Sequence, residues 1–125
     1  MPYLTNKTMT DFCLTENVFV RGSDLFSEVK FTDCDGNRIP VPLYDFEFEY
    51  IGGGVSVKAG RKDGVLFNCV VEGEEEDLEH LAVCVDAPEF MGTELRRKAT
   101  LFIPDTRFSD DSRKECYDDI IAVIK

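Results

Sequence analysis

The sequence predicts an all-β domain built as a sandwich of two antiparallel sheets. Three observations predict it. Apolar residues recur at every second position in several short segments, which is the period of a strand with one buried face. Turn residues separate these segments at intervals of about eight to twelve residues, and no long helical pattern intervenes. Ten Phe and no Trp, beside many Val and Ile, suit a pleated, half-buried surface. A chain of 125 residues with 43% apolar content closes one core, so 1–125 reads as a single domain with 1–11 as a loose N-terminal arm. Seven or eight strands are expected, with a small barrel as the alternative architecture.

Taken in order, residues 25–31 give a first strand, with Val29 and Phe31 on one face, entered through the turn Arg21-Gly22-Ser23-Asp24. Asp33-Cys34-Asp35-Gly36-Asn37 is a turn, and Pro40 and Pro42 cannot donate to a central ladder, so the chain should then follow a sheet edge. Phe46, Phe48 and Tyr50 alternate with Glu47 and Glu49, the clearest two-residue rhythm in the chain. After Gly52-Gly53-Gly54, residues 55–57 read as a short edge or sheet-switching strand, and 60–64 as another turn. Residues 66–71 and 81–85 read as a hairpin, and Ala87 to Gly92 as one helical turn. Ala99, Leu101 and Ile103 define the strand expected to be longest, 95–103. Cys116, Ile120 and Ile124 fall four apart as on a helix, but the branched residues around them favour a strand over 119–124.

Charge narrows the function classes. Fourteen Lys and Arg against twenty-five Asp and Glu leave a net charge of −11, which repels phosphate backbones, so nucleic acid is not expected as a partner. The acidic run over 72–80 reads as a solvated loop. Five cysteines, at 13, 34, 69, 84 and 116, show no close metal spacing and no disulfide framework, and read as small buried hydrophobes in a reducing compartment. Residues 1–14 lack the pattern of a secretion signal and no stretch has membrane-spanning length, so no membrane is expected and the cytoplasm is the expected location, unless the chain leaves in a particle.

No constellation signals catalysis, and no cofactor or metal is expected. His80 lacks a neighbouring nucleophile and reads as a surface histidine, while Cys34 sits between aspartates that disfavour its thiolate. Asp33-x-Asp35-Gly36 lacks the glycine and glutamate spacing of a calcium loop. Asp110-Asp111 and Asp118-Asp119 are adjacent pairs whose members point apart on an extended chain. The sharper candidate is an interaction surface. Arg96 and Lys98 share a strand face, and they are expected to meet the acidic loop residues Glu74, Glu75 and Glu76 of a neighbouring copy. A binding module for a polysaccharide or peptide, using Phe102 or Tyr50 as a platform, is the alternative.

Asn17-Val18-Phe19-Val20-Arg21-Gly22-Ser23-Asp24, then Lys30-Phe31-Thr32-Asp33-Cys34-Asp35-Gly36-Asn37 and Pro42-Leu43-Tyr44-Asp45-Phe46-Glu47-Phe48, occur in an order with a family likeness. With Val65-Leu66-Phe67-Asn68-Cys69, Ala99-Thr100-Leu101-Phe102-Ile103-Pro104-Asp105 and Phe108-Ser109-Asp110-Asp111-Ser112-Arg113, they span most of the chain. The sequence resembles the immunoglobulin-like N-terminal domain of the baseplate upper protein family of tailed phages, in the form found in prophages of gut Bacteroidales. That resemblance implies an immunoglobulin-like sandwich serving as a non-catalytic structural or adaptor module of a tail tip or baseplate. It implies protein partners, a homo-oligomer or a fibre protein, and a place in the virion. The chain departs from the pattern in ending at Lys125 without a coiled-coil or receptor-binding extension.

Overall fold

The computed structural model describes the backbone of residues 3–8, 17–74 and 77–125, and the side chains of 17–73 and 79–125. Eleven strands and no helix occur among these residues: β1 (Tyr3–Thr8), β2 (Val18–Phe19), β3 (Leu25–Thr32), β4 (Arg38–Ile39), β5 (Phe46–Gly52), β6 (Val55–Lys62), β7 (Val65–Phe67), β8 (Cys69–Glu74), β9 (Asp77–Val85), β10 (Glu94–Pro104) and β11 (Ser112–Ile124). One sheet runs β1-β3-β9-β8, with β4 also paired to β3; the other runs β2-β11-β10-β5-β6-β7. All pairings are antiparallel except β2 with β11. Read as immunoglobulin strands, the first sheet is A-B-E-D and the second G-F-C-C′-C″, with β2 added beside G. The chain is an immunoglobulin-like antiparallel sandwich of variable type.

Alternation places the core where the sequence indicates. Val29 and Phe31 of β3, Phe46, Phe48 and Tyr50 of β5, Leu81 and Val83 of β9, and Leu95, Ala99 and Leu101 of β10 are all buried between the sheets. Burying each of the larger side chains contributes about 1.5–3 kcal/mol. Phe31 reaches across the sandwich to Phe46 and Phe48 at centroid distances of 5.9 and 6.3 Å, and Phe19 packs edge-on against Phe90 at 5.3 Å.

Two hairpins use two-residue turns in which both central residues have positive φ, matching the twist of the strands: Gly53-Gly54 and Asp63-Gly64. Gly60 meets a tighter constraint, since a Cβ there would lie 2.1 Å from the carbonyl oxygen of Phe46 on the paired strand.

Several elements differ from the sequence expectation. Tyr3–Thr8, inside the segment read as an arm, pairs along β3. The 55–57 piece extends to Lys62 and lies inside its sheet, between β5 and β7. The 66–71 run is not one strand: Asn68, at φ 55°, turns the chain from β7 in one sheet to β8 in the other, and only β8 makes the hairpin with β9. Residues 87–92 form no helical turn, because Glu89 takes φ 55° and the Met91 amide donates to Gly52 O instead of a preceding carbonyl. The C-terminal segment is a strand, as expected, but starts at Ser112 and is longer than β10. Its helical spacing is overridden by an unbroken ladder with β10 that shifts register once, near Leu95 and Arg96.

One core position carries charge. Arg97 faces inward from β10, 4% exposed, with its guanidinium 5.9 Å from the Phe48 ring. Its Nη1 finds no hydrogen-bond partner and no carboxylate pairs with it among the described residues. Ser27 and Arg97 approach the Tyr50 hydroxyl, which has no well-aligned hydrogen bond, and burial pushes the Tyr50 phenol pKa up. A buried cation with a ring beside it but no carboxylate partner costs stability.

Two outcomes follow. Gly60→Ala should lower stability by roughly 2 kcal/mol, a fall in Tm of about 6–10 °C by circular dichroism, because the backbone of β5 cannot retreat from the new methyl group. Arg97→Met should raise Tm by a few degrees, since it keeps the apolar stem and removes the desolvated charge; an unchanged or lower Tm would show that the guanidinium is stabilising where it lies.

Candidate functional site

The end of the sandwich where β3, β6 and β10 finish gathers three connections: residues 33–45 between β3 and β5, the 63–64 turn between β6 and β7, and residues 105–111 between β10 and β11. In a variable-type domain these are the B–C, C′–C″ and F–G loops, which share one end. Each is anchored by an aspartate that accepts backbone N–H groups, the local bonding for which aspartate is suited in turns. Asp33 Oδ1 accepts from Asp35 and Asn37 at 2.9 Å, and these bonds hold its carboxyl below the usual range. Asp45 accepts from Asp63 and Gly64 at 2.8 and 3.2 Å, tying the first loop to the second. Asp105 accepts from the amide of Arg107 and, in a two-pronged pair, from its guanidinium at 2.9 and 2.6 Å. The Arg107 bonds hold the Asp105 carboxyl far below the usual carboxylate range, helped by Arg113 at 3.3 Å.

Between these anchors lie cavities of about 360, 490 and 650 Å³. The smallest lies over Phe67 and Phe102, at the strand positions of Phe46 and Arg61, and is edged by Asp45, Glu47, Lys62 and Asp63. Most of its polar groups are occupied: Glu47 pairs with Lys58 at 3.3 Å, and the Arg61 guanidinium donates to the carbonyls of Pro42 and Tyr44. The 490 Å³ cavity lies over Ile39, Val41, Tyr44 and Ile103, beside Glu115, which accepts from Arg113 at 2.5 Å and from the Tyr117 hydroxyl at 3.1 Å. Burial, with the Glu115 charge nearby, pushes the Tyr44 phenol up. Each loop also exposes one large apolar side chain at or beside it: Leu43 at 91%, Val65 at 68% and Phe108 at 47%.

Of the residues singled out in the sequence, Phe102 lines the smallest cavity, while Arg96, Lys98, Tyr50 and His80 lie elsewhere. Arg96 and Lys98 share the outer face of β10, as alternation requires, and Arg96 pairs with Asp118 of β11 in the same chain at 3.2 Å. The side chain of Glu74, and Glu75 and Glu76 entirely, lie outside the described residues. Tyr50 is fully buried and offers no platform, whereas Phe102 is partly exposed with Lys114 Nζ 6.0 Å from its ring. His80 is buried, not at the surface: its Nε2 lies 3.4 Å from Glu28 and 3.2 Å from Glu72, on the two neighbouring strands. Cys69 is buried, with its thiol pushed up by burial, but Cys34, Cys84 and Cys116 are exposed, and Cys13 lies outside the described residues. No group of three His, Cys, Asp or Glu side chains among the described residues is arranged to hold a metal ion.

The sequence reading missed Leu43, Val65 and Phe108. No local signal marks Leu43, because Val41, equally outside any ladder and held between Pro40 and Pro42, is buried in the core.

Asp105→Asn tests the loop anchor through pH. A carboxyl held lower in the folded than in the unfolded chain contributes stability above its unfolded pKa of about 3.9, and the contribution is lost as pH falls toward the folded value. The variant should therefore melt below the wild type at pH 7, and the gap should close as melts are taken at successively lower pH below about 4. A gap independent of pH would show that the charge of Asp105 does not anchor the loop.

No protein-family model matches this chain, and no curated protein does. Among solved structures, a DUF4785 family protein from Legionella pneumophila aligns with a TM-score of 0.45 at 11% sequence identity, over 98% of this chain and 29% of that one.

Proposed function

We propose that this chain is a non-catalytic protein-binding adaptor that engages its partner through the loop end of the sandwich. The supporting observation is the exposure of Leu43, Val65 and Phe108 at three separate loops of one end, around shallow cavities. Exposed apolar side chains grouped with partly apolar cavities mark interaction sites, and the central residues of such patches carry most of the binding energy. The loops that present them are held by hydrogen-bonded aspartates, which lowers the ordering cost of binding. The net charge of −11 argues against a nucleic acid in this role. The resemblance to the baseplate upper protein family gives the partner its setting: another protein of a phage tail tip or baseplate, or a further copy of this chain. A sugar is a poorer fit to the phenylalanine-floored cavity, because the polar groups around it are already bonded within the chain.

A photo-crosslinking side chain placed at Leu43 or Phe108, in cells producing the assembled particle, should give one discrete protein adduct, and the same probe at Ile120 on the outer sheet face should give none. Adducts formed from Ile120 but not from either loop would overturn the reading. Mass spectrometry of purified particles should find the chain among the tail proteins, and its absence there would remove the virion setting.

A further inference from the structure

We infer that the free edge of β8 takes up an extended segment of a partner protein as a further strand, and that this segment alternates basic and apolar residues. This contact is separate from the loop end and adds to it. β8 ends its sheet, with β9 on one side and no strand on the other among the described residues. The Cys84 amide donates to Asn68 O at 3.0 Å, and the register pairs Val70 with Ala82 and Glu72 with His80. Antiparallel pairs alternate between bonded and unbonded, so Asn68, Val70 and Glu72 point their backbone groups at β9. Cys69 and Val71 point theirs the other way. Neither is bonded to backbone outside the ladder among the described residues, which leaves N–H and C=O groups in a row for another chain to meet.

The side chains of the edge set the chemistry of the added strand. Sheet edges are ordinarily guarded against pairing by lysine, proline or very short length. β8 has six residues with neither lysine nor proline, and it exposes Val70 at 50%. Its charge is of one sign: residues 69–85 hold Glu72, Glu74, Glu75, Glu76, Asp77 and Glu79, and no Lys or Arg occurs between Lys62 and Arg96. Cross-strand neighbours share a face, so a residue set beside Glu72 lies on the outer face of the sheet, where the Glu72 side chain is half exposed. Lys or Arg is favoured there, and a like charge is not. A residue set beside Val71 lies on the inner face, where Val71 is only partly buried against the core, and an apolar side chain continues that packing. A second copy of β8 is the poorer occupant, because each copy carries a net charge of −11 and its β8–β9 hairpin offers no Lys or Arg.

Amide hydrogen exchange of the purified chain, with and without a short probe peptide of alternating Val and Lys, tests this. In the free chain the Val71 amide should exchange much faster than those of Val70 and Glu72, which bond to β9. A saturating probe should slow Val71 by about tenfold and leave β10 unchanged. With the lysines beside Glu72, the valine amides of the probe face β8. Backbone N-methylation of the valines should therefore weaken binding by about tenfold, and N-methylation of the lysines should not. A probe of alternating Val and Glu should not bind. Val71→Pro, which removes the outward amide and spares the bonds to β9, should lose the response. The two N-methylated probes are compared on the unaltered chain, so they decide the matter whether or not that variant folds. Equal binding of both would show attraction by charge alone and overturn the inference, as would no binding of the parent probe. Protection of Val71 that grows with protein concentration, without probe, would make a second copy the occupant and overturn it too. Each of these results leaves the crosslinks from Leu43 and Phe108, and with them the loop-end reading, standing.

Discussion

Phe31 on β3 meets Phe46 and Phe48 on β5 across the sandwich, and those two rings lie 5.7 Å apart on their own strand. This three-ring contact joins the sheets in the half nearest the loop end, so the spacing of the two layers is set by rings in contact with one another. Phe46 also carries the Arg61 guanidinium, 5.3 Å from its centroid. Arg61 in turn holds the carbonyls of Pro42 and Tyr44. The position of the first loop is thus inherited from the core through one ring and one guanidinium, and the exposed Leu43 lies between the two carbonyls so held.

The same economy runs through the other connections. Asp45 holds the 63–64 turn while its own backbone carbonyl accepts from Phe102 of β10, so two loops and the F strand share a single residue. Asp105 gathers Arg107 and Arg113, and Arg113 passes the connection on to Glu115 and Tyr117. A surface made from loops is ordinarily the least stable part of a sandwich. Here it is stiffened by carboxylates that accept backbone and guanidinium N–H groups, which suits a binding surface.

The body of the fold was legible because its signals are local. Phe46, Phe48 and Tyr50, and Ala99, Leu101 and Ile103, alternate so regularly that the strand and its buried face follow from sequence. What was not legible depended on partners distant in the chain. The sheet change at Asn68 interrupts an apolar run with one left-handed residue, and nothing in Leu66-Phe67-Asn68-Cys69 says that its halves pair with different strands. His80 looked exposed because it ends a charged run; it is buried beside Glu28 and Glu72, which only the register of β3, β9 and β8 brings near it. The proposed interaction surface escaped because its apolar residues are scattered over three loops, and they come together only once the sandwich end is known.

The parallel pairing of β2 with the last residues of β11 also shapes how the domain would carry tension. Val123 donates to Asn17, Lys125 to Phe19, and Arg21 to Lys125, a short patch bonded across two strands that run the same way. A pull that drags these strands in opposite directions meets all of those bonds simultaneously, lengthwise, so they must rupture together instead of unzipping one by one. On the far side, the single residue Asn68 stitches the two layers and resists their sliding. A domain fastened in this manner is expected to resist a shearing pull on these two strands better than a peeling one.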